Sequence, residues 1–429
     1  MIDIEKYLSN FFKGTRDPSL DAMKYFMSEY DNFERKMKFI HIAGTNGKGS
    51  CVEMISNILI CQGYRVGKFL SPHLIKYNER ISINGKEISD EEISKLIEEL
   101  EPKIKFYEKK NKKSITLFEL ETIMALLYFY RNNVDFVVLE TGLGGMYDCT
   151  NIISKPLISL ITSIGYDHMN ILGNTLSEIA YQKAGIIKEN SNTVFFAQSS
   201  EINKVFEEEC KRKNNKLHLV TEKELKNYSY DKEFQYIDFK DMKKIAVKLK
   251  GTKQINNTSV CIECMNILNN MGYKVSEENI RKGISTVIHR GRMEVLNKNP
   301  LIIYDGAHNE PAIKNLQQTI EMYYKDKKRT YIISILKRKD YEKMLSILFE
   351  DKNAKFIFTS GNSEERYTSK EELYKIAEKY KCDTQEIYTE NLEQAIEKIM
   401  NEKNNTINFV IGSFYVYGDV VNKIKQYCN

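Results

Sequence analysis

At 429 residues the chain is too long for one ordinary core, so two domains are expected. A hydrophobic content of 42% and a charged content of 29% describe a water-soluble globular protein rather than a disordered or fibrous one. The 64 basic and 59 acidic residues leave a net charge of +5, too balanced for a nucleic-acid binder.

The opening MIDIEKYLSN has no basic stretch leading into an apolar run, which predicts no secretory signal. No apolar run approaches the ~18 residues of a membrane span, so the expectation is a cytoplasmic protein without a membrane partner. The eight cysteines are scattered in a way that suits reduced thiols. Cys261 and Cys264 form a lone CxxC, and without the second pair of a zinc site they read as two positions on a helix.

Along the chain, KFIHIA reads as a strand buried on both faces. It feeds GTNGKGS and then a helical pattern, CVEMISNILI. A glycine-rich turn between strand and helix gathers backbone N–H groups and a helix N-terminus at one point, which attracts phosphate. Lys48 adds positive charge, and Ser50 offers a hydroxyl to Mg²⁺. The spacing departs from the usual phosphate loop: Gly44 and Gly47 are three apart, and Gly49 separates Lys48 from Ser50.

Ser89 and Glu92 predict a capping box, with Ile93, Leu96, Ile97 and Leu100 on one helical face and Pro102 expected to end or kink the helix. The basic run Lys109–Lys113 reads as a solvated helix end or loop. VDFVVLE is a buried strand ending in an acid, Glu140, the arrangement that holds nucleotide Mg²⁺. The glycines of Thr141–Gly145 let backbone approach a ligand. LISLITSI is the next strand, followed by Tyr166-Asp167-His168 at the strand end where ligands bind in parallel sheets. Taken alone, His168 reads more readily as a satisfied core histidine than as a ligand. Lys183 lies on a helix, and its ammonium cannot bind a metal.

TVFFAQ is a further strand, and residues 199–245 read as a charged, peripheral excursion before a helix beginning near Gln254. LIIYDGA, RTYIISIL, KFIFTSG and INFVIG form a second strand–helix series, with a capping box at Ser369 and Glu372. Such alternation predicts α/β architecture with parallel-rich sheets. The expected division is an N-terminal P-loop-type ATP-binding domain, 1–289, and a smaller C-terminal Rossmann-like α/β domain, 290–429.

GTNGKGS, SPHL with NERI, FE with Thr122 three residues on, LETGLGG, SIGYDH, QKAGII, GRMEV, DGAHN and GSFYVYG occur in this order. The set resembles folylpolyglutamate synthase and dihydrofolate synthase of the Mur ligase superfamily over nearly the whole chain. The compressed glycine–lysine spacing is the form of phosphate loop this family uses. The resemblance implies an ATP-dependent ligase that adds L-glutamate to folates, and to dihydropteroate, through an acyl phosphate.

It further implies that Gly44, Thr45, Asn46, Gly47, Lys48, Gly49 and Ser50 cradle the ATP phosphates and that Asn257 contacts adenine. Ser50 and Glu140 would hold one Mg²⁺. His168 and Lys183 would help hold a second, Lys183 carrying a CO₂-derived carbamate that turns its cation into an anion. Arg292, Asp305 and His308 would reach across an interdomain cleft to nucleotide and glutamate. Ser71, Pro72, His73 and Arg80 belong to a loop covering the folate site. Phe118, Glu119, Thr122, Asp148, Ser413 and Tyr415 complete the substrate residues, and the enzyme would act as a monomer.

The chain departs from the family pattern at Met146-Tyr147, at Lys253 and at Glu310, which intervenes before Pro311. Two other readings stay open. One is a different Mur-superfamily amide ligase, disfavoured because only 40 residues precede His41. The other is a nucleotide-binding protein that does not catalyse.

Overall fold

Phe39–Ala43, apolar but for His41, becomes a fully buried strand (β1) at the centre of a sheet, as a run apolar on both faces favours. A computed structural model describes residues 3–13, 19–361, 365–401 and 406–428. The chain divides into two units: 1–230, 234–248 and 254–287 in the first, and 231–233, 249–253 and 288–429 in the second.

The first unit holds β1, Val66–Phe69 (β2), Ile81–Ile83 (β3), Lys86–Glu87 (β4), Phe136–Glu140 (β5), Ile158–Ile161 (β6), Asn192–Phe196 (β7) and Lys216–Val220 (β8) in one sheet. Its order is β4-β3-β2-β5-β1-β6-β7-β8. The strands from β2 to β8 run parallel, and β3 and β4 add an antiparallel edge. Consequently β1 lies between β5 and β6, and the C-terminal ends of these three strands sit side by side. That edge is where an open parallel sheet presents ligand-binding groups.

Helices Asp90–Asn111 and Leu117–Arg131 contribute Ile93, Leu96, Ile97, Leu100, Ile123 and Leu127 to one core cluster. The helix Leu176–Ala184 and Ile161 contribute to another. Ser89 caps its helix by accepting from Glu92 N–H, as the sequence suggested. Pro102, however, does not end that helix, which continues to Asn111. Both Pro102 and Glu98, whose carbonyl loses its partner, are exposed, so the freed group is open to solvent while the apolar stripe stays buried.

Residues 199–245 are more ordered than their charge suggested. They form the helix Ser200–Arg212, strand β8, and a separate antiparallel sheet of Leu225–Tyr230 (β9), Gln235–Phe239 (β10) and Met242–Val247 (β11). Cys261 and Cys264 lie fully buried on the helix Thr252–Asn270, which belongs to the first unit from Gln254 onward.

The second unit holds Glu294–Lys298 (β12), Leu301–Asp305 (β13), Lys328–Ile333 (β14), Ala354–Phe358 (β15), Glu386–Thr389 (β16) and Thr406–Ile411 (β17). Their order is β12-β13-β17-β14-β15-β16, parallel except for β12. Its core gathers Tyr331, Phe356 and Phe409 among aliphatic side chains. Arg329 forks onto the Asp351 carboxylate, and both side chains are buried. Ser369 caps the helix Lys370–Ala377 through Glu372 N–H.

Candidate active site

The loop leaving β1 is closed around its own neighbours. Gly44 has φ +152°, and a Cβ there would stand 1.7 Å from Thr162 Oγ1. Gly47 has φ +94°, and a Cβ there would stand 2.7 Å from Asn257 Oδ1. Both positions therefore need glycine on conformational and steric grounds. Thr45 N–H donates to the Ser163 carbonyl at 2.7 Å, and Thr45 Oγ1 both donates to and accepts from Gly165 at 3.1 Å. Ser163 Oγ donates to the Asn46 carbonyl at 3.0 Å. These bonds fix the loop to the chain leaving β6. The helix Lys48–Cys61 starts immediately after Gly47, and its first-turn N–H groups, Gly49 among them, are not consumed inside the helix. Phosphate is the natural occupant of such a concavity.

Three charged side chains meet there. Lys48 Nζ donates to the carbonyls of Gly44 at 3.2 Å and Thr45 at 3.4 Å, and lies 3.8 Å from Glu140 Oε1. Lys183 Nζ, buried, donates to the same Gly44 carbonyl at 2.8 Å. Burial, helped by the charge of Lys48, pulls the Lys183 ammonium down to about 7. Glu140 is buried at the end of β5, and its Oε2 accepts from Ser71 N–H at 3.1 Å.

Ser50, also buried, accepts from Gln254 Nε2 at 3.1 Å, and Gln254 in turn accepts from Asn257 Nδ2 at 3.0 Å. Among the described residues no three His, Cys, Asp or Glu side chains come together as a metal cluster. The oxygen donors present, the Glu140 carboxylate and the Ser50 hydroxyl, are nonetheless the hard ligands Mg²⁺ prefers.

His168 stands in the left-handed region at the start of a short helix, its side chain 45% exposed and 3.7 Å from Asp167 Oδ1. It is therefore not a core histidine, and Asp167 is close enough to act on the charge of Lys183. Asp148 is buried and accepts from Leu143 N–H at 2.7 Å and from Thr150 Oγ1 at 2.5 Å. Thr150 also bonds His41 of β1 at 2.8 Å.

Phe118 lies tilted against Phe69 and fills the space over Gly142. Glu119 caps its own helix through Thr116, and Thr122 bonds back to the Phe118 carbonyl. In the loop after β2, Pro72 follows a cis peptide, and Arg80 bonds His73 and Glu121. At the departures, Met146 N–H donates to the Gln182 carbonyl at 2.8 Å, Tyr147 is exposed, and Glu310 opens a helix and pairs with Lys314.

The second unit gathers a different set. Asp305, buried at the end of β13, accepts from the N–H groups of Met293 and Ala307, each at 2.9 Å. Burial raises its carboxyl while Arg292, 3.7 Å away, opposes the rise. Arg292 lies over the ring of Phe414, which also meets His308 edge-on. His308 Nδ1 bonds the Gly306 carbonyl at 2.7 Å, which fixes Nδ1 as the donor. Ser413 is buried, with Tyr367 at its hydroxyl, and Tyr415 is half exposed beneath the Arg366 guanidinium.

Gln254, Thr162, Ser163 and Glu121 also take part and were not among the residues singled out from sequence. Each lies far along the chain from its partner, so local spacing carries no mark of the contact. The one available signal was Glu121, an acid among the apolar positions of LFELETIMALL.

Residues 42–265 match the Mur ligase middle domain, and residues 290–423 match the dihydrofolate synthetase C-terminal domain. Bacillus subtilis dihydrofolate synthase/folylpolyglutamate synthase is 35% identical, the match covering 99% of each chain. Thermotoga maritima folylpolyglutamate synthase superposes with a TM-score of 0.84 at 32% identity, over 99% of this chain and 96% of that one. The Mycobacterium tuberculosis folylpolyglutamate synthase complexed with ADP and AMPPCP gives 0.87 at 26% identity, over 98% and 97%.

Proposed function

The chain belongs to the folylpolyglutamate synthase/dihydrofolate synthase family of the Mur ligase superfamily, and from that premise we propose how its residues divide the work. It is an ATP-dependent amide ligase that adds L-glutamate to folates. A carboxylate is a poor acyl donor, so the γ-phosphoryl group first passes to it, giving an acyl phosphate and ADP. The glutamate amine then attacks the acyl carbon, the C–N bond forms, phosphate leaves and the amine loses a proton. Both a folate and dihydropteroate are proposed as acceptors, and the enzyme as a cytoplasmic monomer. No helix of the described residues is long and apolar enough to cross a membrane.

The observation that carries the reading is that Lys48 and Lys183 share one carbonyl of a glycine-rich loop, with Glu140 3.8 Å from Lys48. Residues Gly44 to Ser50 take the phosphates, and Lys48 follows the charge that develops on the transferred group. Asn257, against Gly47, closes the nucleotide side. Ser50 and Glu140 would hold one Mg²⁺, and His168 with a carbamylated Lys183 a second. When bound, these ions neutralise phosphate charge and orient the phosphoryl group. A neutral, buried lysine amine is the form that adds CO₂, losing one proton as the N–C bond closes.

The loop from Ser71 to Arg80, with Phe118, Glu119, Thr122 and Asp148, serves the acyl acceptor. In the second unit, Arg292, Asp305, His308, Ser413 and Tyr415 serve the incoming glutamate. The test is phosphate release from ATP with each acceptor, with product masses read by mass spectrometry. Release that needs both acceptor and glutamate is expected. ATP binding without turnover would instead mark a non-catalytic nucleotide-binding protein.

A further inference from the structure

Glu121 is 1% exposed on the helix Leu117–Arg131 and lies 2.7 Å from Arg80 NH1. A carboxylate in such a place requires a partner, because an uncompensated buried charge is strongly destabilising. Arg80, itself nine-tenths buried, uses a second nitrogen: Nε–H donates to His73 Nδ1 at 2.8 Å. Guanidinium nitrogens only donate, so His73 Nδ1 must be an acceptor. The ring is then neutral with its proton on Nε2. Burial, with Arg80 alongside, agrees by holding the His73 imidazolium down to about 4.

The rest of the loop is fixed by other bonds. The Glu79 carboxylate accepts from the N–H groups of Leu74, Ile75 and Lys76, and Leu70 N–H donates to the Arg80 carbonyl. The ring of Tyr77 lies beside both His73 and Arg80. Among the described residues, it is the Arg80 bond that sets the tautomer of that ring, and Glu121 holds Arg80 in place.

We propose that Glu121 is a positioning residue of the acyl-acceptor site, acting through Arg80 to make His73 a fixed, neutral Nε2–H donor toward the acceptor. In this role Arg80 is committed inside the protein and acts through His73 rather than by gripping an acceptor carboxylate with a mobile cation. The inference rests on the ligase reading, which gives the Ser71–Arg80 loop to the acceptor.

Two measurements test it. The first is ¹⁵N NMR of the histidine rings in the wild-type protein, with His73 assigned by comparison with His73→Gln. An Nε2–H ring with unprotonated Nδ1 at pH 7.5 is expected, and an Nδ1–H ring or an imidazolium there would overturn the proposal. The second is steady-state kinetics of Glu121→Gln and Glu121→Leu. The expected result for Glu121→Leu is a roughly tenfold rise in KM for the acyl acceptor, with kcat and the KM for ATP within about twofold, and a mixture of His73 tautomers. Glu121→Gln, which keeps an acceptor oxygen, should fall between. A folded Glu121→Leu with unaltered acceptor KM would sink the proposal, and if that variant does not fold the wild-type ring decides. Wild-type protein that releases no glutamate-dependent phosphate would instead remove the ligase reading.

Discussion

Replacing Gly44 by alanine adds one methyl group at the point where the phosphate loop touches β6. The φ of +152° is one that a side chain strains, at a cost of about 1–3 kcal/mol. The new Cβ would also stand 1.7 Å from Thr162 Oγ1, 2.9 Å from its Cβ and 3.1 Å from its backbone nitrogen. Rotating Thr162 moves only the first of these, so overpacking adds about 1–3 kcal/mol. The combined strain, about 2–6 kcal/mol, is relieved only by shifting the loop, which carries the carbonyl that holds Lys48 and Lys183.

Even the lower bound amounts to roughly thirtyfold in ATP affinity if it is expressed there. The assay is ATP titration by calorimetry beside urea unfolding of the same variant. Thr162→Gly in the Gly44→Ala background removes both side-chain atoms and should recover about 1 kcal/mol or more, leaving the φ strain. Gly44→Ala binding ATP within threefold of wild type, or a double variant no better than the single, would refute this account of the loop.

Lys48→Ala and Glu140→Ala should each lower kcat by about 10²–10³ without changing the far-ultraviolet circular dichroism, since in the proposed mechanism each acts on charge at the transferred phosphoryl group. Lys183→Ala should be nearly inactive and partly restored by acetate. Wild type equilibrated with ¹³C-bicarbonate should show a carbamate carbon signal that this variant lacks. At fixed CO₂, the rate of reactivation after CO₂ removal should rise as pH increases through about 7, because only the neutral amine reacts and the folded lysine loses its proton there. Reactivation that climbs only near the ordinary lysine range would contradict that environment. Asp351→Ala should destabilise the second unit by about 3–5 kcal/mol in urea unfolding, since it strands the buried Arg329 guanidinium and the Tyr331 hydroxyl.

The strands most visible in the sequence were those buried along their whole length and dominated by apolar residues, such as β1 and β5, because burial on both faces leaves few polar positions to confuse the pattern. Strand β9, with most of its residues exposed, has no such signature, and the antiparallel sheet it belongs to was misread as an excursion. Whether Pro102 ends its helix or is carried within it depends on whether water can take over the freed carbonyl, which local sequence does not state. The phosphate loop was legible because its chemistry lies within seven consecutive residues. Gln254 on Ser50 and Glu121 on Arg80 were not, because tertiary packing creates those pairs.

The parallel order β5-β1-β6 also sets a timetable for synthesis. Thr162, which packs on Gly44, is separated by 119 residues from the Ala43 carbonyl it bonds, and Gln254 lies 204 residues beyond Ser50. Such closures come late, because each loses the entropy of a long intervening chain before any contact compensates it. A ribosome that has released only β1 and the helix after it has made every residue of the phosphate loop and none of the chain that shapes it. On this order the loop should take its final form only once the helix beginning at Thr252 has emerged, so a chain terminated before that point is expected to carry the full motif without the bonds that shape it.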